Sequence, residues 1–143
     1  MCACLNHWLQ WISIIIPTIG LIITIRQFNK QQKIKLFADY TKRYQDIILH
    51  FPENINDKGF TPDQDKKWDT TLRHMRVYFD LCYEEYSLKK DIGRRHWEDW
   101  QHGIKSACSK PAFQLAWHKI QQDTHYSQNY INWIDSFITN NAL

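Results

Sequence analysis

The sequence predicts an all-α protein, with one N-terminal transmembrane helix followed by a compact cytoplasmic bundle of four to five helices. Three observations carry this expectation. Gly and Pro number only four each in 143 residues, too few for the many short strands and turns of a sandwich or barrel. Apolar and aromatic residues recur at spacings of three and four along most of the chain, the period of a helix with one buried face. From Trp8 to Ile25 there are 18 residues without a formal charge, the lower limit for crossing a hydrocarbon core of roughly 30 Å.

The anchor is placed at 1–28. Its apolar body includes Ile14, Ile15, Ile16, Leu21 and Ile25, and SIIIPTIGLIITI offers only Ser13, Thr18 and Thr24 as polar positions. A helix apolar on every side belongs in lipid or deep in a core, and a chain this short has little protein to bury it. Pro17 and Gly20 are tolerated in a span, and Trp8 and Trp11 stand where an interfacial aromatic belt would place them. A cleaved signal would carry its positive charges before the apolar run and a small-residue site after it. Here MCACLNH has no Lys or Arg, and the run continues directly into RQFNKQQKIK. The basic residues Arg26, Lys30, Lys33 and Lys35 all follow the span. The positive-inside rule therefore predicts a single-pass inner (plasma) membrane protein, N-terminus out, with its C-terminal domain in the cytoplasm.

The domain is predicted at 29–143. An exit helix over 29–51 carries Phe37, Tyr40, Tyr44, Ile47 and Phe51 on one seam, and Pro52 ends it. The loop 52–61 closes with Thr61, Pro62 and Gln64, a capping-box pattern that predicts a helix over about 62–90. Leu72, Met75, Phe79, Cys82 and Tyr86 form its inner stripe. Further helices are predicted at 94–108 (Trp97, Trp100, Ile104, Cys108), 110–122 (Phe113, Ala116, Trp117, Ile120) and 126–139 (Tyr126, Tyr130, Trp133, Ile134, Phe137). Connections this short suit antiparallel neighbours.

Composition narrows the chemistry. The net charge of +3 is mild and the basic residues are interleaved with acids, so nucleic acid is not an expected partner. Cys2, Cys4, Cys82 and Cys108 form no CxxC, and His96 and His102 lie six apart rather than at the i, i+4 spacing of a shared metal. No metal and no cofactor are expected. Phosphate loop, nucleophile elbow and HExxH motifs do not occur in the sequence, so no catalytic residues are assigned and an enzyme is not predicted.

The densest polar constellation is FDLCYEEYSL, residues 79–88, with Arg94 and Arg95 after the next turn. Asp80 and Glu84 stand at i, i+4, and Glu85 lies beside the Phe79–Cys82–Tyr86 stripe. Asp80, Glu84, Glu85, Arg94 and Arg95 make a candidate polar structural or interaction site. Carboxylates there are expected to pair with Arg73, Arg76, Lys89, Arg94 or Arg95, or to accept from a helix N-terminus or an indole N–H.

The order of FDLCYEEYSL, a Gly-containing turn, WEDWQHGIKSACSKPAF and Trp117 resembles a family of small uncharacterised bacterial proteins. Those have one N-terminal membrane helix and a helical domain of unknown function. Phe79, Leu81, Cys82, Glu84, Tyr86, Leu88, Gly93, Trp97, Trp100, Gly103, Ile104, Pro111, Phe113 and Trp117 carry the likeness over roughly 70–120. Arg94 and Arg95 depart from it, standing where an Asp or Ser cap would be expected. The resemblance implies a fold and supplies no reaction.

The function expected from these readings is a membrane-anchored interaction or regulatory module that docks a protein partner, or a second copy of itself, at the inner membrane face. Its alternatives are a membrane effector, a toxin or defence component acting through oligomerisation of its span, and a membrane-proximal enzyme of unknown reaction.

Overall fold

The computed structural model describes the backbone of residues 3–62 and 66–139 and the side chains of 11–62 and 66–138. All regular structure among these residues is helical: α1 (Ala3–Ile48), α2 (Trp68–Ser87), α3 (Lys89–Ile92), α4 (Arg94–Cys108), α5 (Pro111–Asp123) and α6 (Gln128–Thr139), with a 3-10 turn at Glu53–Asn56. The chain divides into two units, 1–36 and 37–143, where hydropathy alone predicts a boundary after 28.

In the first unit α1 runs without interruption through Pro17. It contains a window long and apolar enough to cross a membrane, none of it buried. Trp11, Ile14, Ile15, Ile16, Leu21 and Ile25 are all exposed. Two hydroxyls on this helix bond to its own backbone. Thr18 Oγ1 donates to the Ile14 carbonyl at 2.7 Å and Thr24 Oγ1 to the Gly20 carbonyl at 2.9 Å. Arg26, Lys30, Lys33 and Lys35 are exposed. The Trp8 side chain lies outside the described residues.

The second unit is organised around α2 and α5, with α4 packed against α5 and α6. Fully buried Met75, Phe79, Leu81 and Cys82 of α2 meet Trp117 and Ile120 of α5 and Tyr130 and Ile134 of α6. Rings dominate the contact: Phe79 and Trp117 lie 4.9 Å apart and Trp97 stacks on Trp133 at 5.4 Å. The buried polar atoms are matched. Trp117 Nε1 donates to Asp135 Oδ1 at 2.7 Å, and Tyr130 Oη to the Phe79 carbonyl at 2.9 Å.

Three boundaries differ from the sequence expectation by three residues or more. The exit helix stops at Ile48 rather than 51. The helix predicted at 62–90 begins at Trp68, where Lys67 occupies the cap position without a side-chain capping hydrogen bond; Gln64 of the capping pattern lies outside the described residues. At this start buried Phe60 packs on Trp68 with ring centroids 5.6 Å apart. At the other end α2 stops at Ser87, and α3 forms one separate turn before Gly93. Gly93 has φ +93°, a conformation that costs a side-chain-bearing residue energy but glycine little, so the chain reverses there and α4 starts uncapped at Arg94.

Candidate functional site

The predicted constellation separates into three settings. Asp80 accepts a hydrogen bond from Tyr126 Oη at 2.6 Å, tying α2 to the chain just before α6. Arg94 pairs within its own helix, its Nε 2.8 Å from Glu98 Oε1, on a fully solvated face. Arg95 is likewise exposed on α4. Neither arginine bonds an α2 carboxylate, and Arg94 is instead engaged by Glu98 of its own helix. Neighbouring Glu84 and Glu85 mark the third setting and face different surroundings.

Glu84 meets the second-unit part of α1. Arg43 Nη1 lies 2.6 Å from Glu84 Oε2 and Nη2 lies 3.1 Å from Oε1, a two-point fork. Tyr40 Oη also donates to Oε2, at 3.1 Å. The Arg43 bonds hold the Glu84 carboxyl below its ordinary value against the opposing effect of burial. Burial and the Glu84 hydrogen bond push the Tyr40 phenol up to about 12. Arg43 and Tyr40 were not among the partners expected for Glu84. The only sequence signal for Tyr40 was its place on the exit-helix seam.

Glu85 is buried, 7% exposed. Burial, reinforced by Glu84 and opposed by Arg43, raises its carboxyl to about 7, and no hydrogen bond contributes. It lines a cavity of about 270 Å³ closed by α1, α2 and α4, with walls from Phe37, Tyr40, Tyr44, Tyr78 and Trp100. Phe37 stacks on Trp100 at 5.6 Å, and Tyr40 tilts against the same indole at 5.3 Å. Asp99 also borders the cavity.

The other functional groups on this wall are committed. Thr41 Oγ1 donates to the Phe37 carbonyl at 2.9 Å. Cys82 is fully buried, and burial with the nearby Glu85 charge drives its thiol well up, so it stays protonated and is a poor nucleophile. Burial likewise raises Tyr44 and Tyr78. The cavity thus presents neutral rings and carboxylates, an arrangement suited to binding a group rather than to attacking one.

A second concavity of about 750 Å³ opens beside it, lined by Tyr44, Ile48, Leu49, Phe51, Ile55 and Phe113 among others. Leu49 is 81% exposed, with Tyr44 and Ile48 exposed beside it. Tyr44 was expected in the core seam. It sits instead on the ridge bordering both concavities, while Tyr40 and Ile47 take the buried places.

No protein-family model, curated protein or solved structure matches this chain.

Proposed function

We propose that the chain is a membrane-anchored helical interaction module. The N-terminal apolar segment holds it in the inner membrane with the N-terminus outside, and the bundle that follows docks an apolar helix of a protein partner or of a second copy on the cytoplasmic side. One observation carries the reading: an apolar window of α1 with none of it buried precedes a domain that also leaves apolar surface open, at Leu49, Ile48 and Tyr44 along the 750 Å³ groove. An exposed apolar strip of this kind, beside a groove, is what a helix-in-groove contact uses. The basic run Arg26, Lys30, Lys33 and Lys35 supports the orientation. The internal bonding of Thr18 and Thr24 favours an anchor over a pore-forming span, because their hydroxyls are already used within the helix. The resemblance to small bacterial proteins with one membrane helix agrees with the same plan.

The test is affinity purification of the full-length chain in a mild detergent, read by mass spectrometry and light scattering. A stoichiometric protein partner or a defined homo-oligomer is expected, and Leu49→Asp should dissolve it while leaving the helical circular dichroism unchanged. A monomer with nothing bound would overturn the reading.

A further inference from the structure

The small cavity has properties that neither the packing of the domain nor the docking groove requires. Its walls are aromatic on three helices: Phe37, Tyr40 and Tyr44 from α1, Tyr78 from α2 and Trp100 from α4. A buried carboxyl group, Glu85, faces into this space with no hydrogen bond to its oxygens among the described residues. No fully enclosed side-chain nitrogen or oxygen among the described residues lacks a partner, so the Glu85 oxygens open onto this space, where a bound cation can reach them. The nearest cation, Arg43, does not line the cavity and is already held at both nitrogens by Glu84. Arg43 also lies 5.3 Å from the centroid of the Tyr40 ring, so one wall of this cluster already carries a cation on its π face.

We infer that this cavity is a binding site for a small organic cation, an alkylammonium group of choline or monoamine size. Aromatic faces attract a desolvated ammonium through their quadrupoles, and Glu85, on the wall of the same space, supplies the counter-charge. Asp99, at the edge of the cavity and exposed, adds a second negative charge on the approach. No Lys or Arg lines the cavity to oppose it. At about 270 Å³ it lies below the roughly 300–1,000 Å³ of sites for drug-sized ligands, which fits a head group. The ammonium is either a free amine or the head group of a choline lipid, and the two sources share this chemistry. The inference stands apart from the docking proposal, since it concerns a different concavity and is read by heat of ligand binding rather than by assembly.

Isothermal titration of the full-length chain in a maltoside micelle with choline and tetramethylammonium tests it, with 3,3-dimethyl-1-butanol as the uncharged isostere. Saturable binding of both cations is expected, with the neutral alcohol at least about tenfold weaker. Glu85→Gln should weaken choline by about tenfold or more, and Trp100→Leu by about fivefold. Asp99→Asn, an exposed change that leaves the core intact, should cost about threefold and keeps the test decisive should the Glu85 variant fold poorly. Equal binding of the alcohol, unaltered affinity in both acidic variants, or no heat with any cation would overturn the inference. Repeating the titration in lipid nanodiscs separates the sources. Choline binding in phosphatidylglycerol discs that vanishes in phosphatidylcholine discs identifies a lipid head group, and binding in both identifies a free amine.

Discussion

Arg43 grips Glu84 through both terminal guanidinium nitrogens, at 2.6 and 3.1 Å, and so joins α1 to α2 across 41 residues of sequence. The pair is nearly half exposed on each side, which limits its worth. A double-mutant cycle with Arg43→Ala and Glu84→Ala should give a coupling of about 0.5–1 kcal/mol, the upper part of the range for solvated pairs because the geometry is two-pronged. The Glu84 carboxyl lies below its ordinary 4.5 in the folded protein. Its contribution is therefore complete above that value and is lost as pH falls through the lowered one. Denaturant unfolding of the four proteins at neutral and acidic pH checks both statements. A coupling that stays constant in acid would contradict the assignment.

Gly103 lies within α4 and borders both concavities, and a Cβ placed there would meet nothing within 4 Å. Helix propensity then acts unopposed. Gly103→Ala is expected to stabilise the protein by about 0.5–1 kcal/mol, seen as a higher Tm. A lower Tm would mean that the open space beside Gly103 is needed by the fold.

Trp117 makes the opposite case. Its ring is fully buried against Phe79, Tyr126 and Tyr130, and its Nε1–H donates to Asp135 at 2.7 Å. Trp117→Phe removes ring volume and that hydrogen bond together, at an expected cost of about 2–3 kcal/mol. Asp135→Asn, which keeps an acceptor for the indole, should cost markedly less. Equal losses in the two variants would show that volume plays no part.

The helical class was readable because the signals for it are local. Ile104 and Cys108, or Phe113, Trp117 and Ile120, fall on one face by spacing alone, and they are buried in the structure. The long apolar run of α1 was readable for the same reason. Two other kinds of fact were not. The α2 helix begins at Trp68, whose ring packs on Phe60, and that contact between loop and helix leaves no periodic trace. The partner of Glu84 stands on another helix, while Arg94 pairs within its own helix. Glu85 gave a faint signal, since it follows Leu81 by four and Cys82 by three and so shares their inward face. What lies opposite it, an aromatic cavity instead of a packed wall, depends on three helices meeting and is invisible in any one of them.

Glu85 yields the sharpest dependence on pH. Its carboxyl is raised from 4.5 to about 7, mainly by burial. The charged or titratable groups around it are Arg43, Tyr40 and Tyr44 from α1, Tyr78, Cys82 and Glu84 from α2, Asp99 from α4 and Tyr130 from α6. Below pH 4.5 the group is protonated in folded and unfolded chains alike and contributes no difference. Between 4.5 and 7 the unfolded chain releases the proton while the folded protein keeps it, so stability falls as pH rises through this window and levels off above it. The full drop is on the order of 3 kcal/mol, an upper bound if water enters the cavity. Glu85→Gln mimics the protonated group and cannot ionise. Its Tm should match the native protein near the acid end of the window and exceed it by several degrees above neutrality. Glu84 titrates below the window and does not blur the comparison. Thermal melts followed by circular dichroism in detergent across the range decide the matter: two parallel curves would mean that Glu85 is already ionised and solvated at neutral pH.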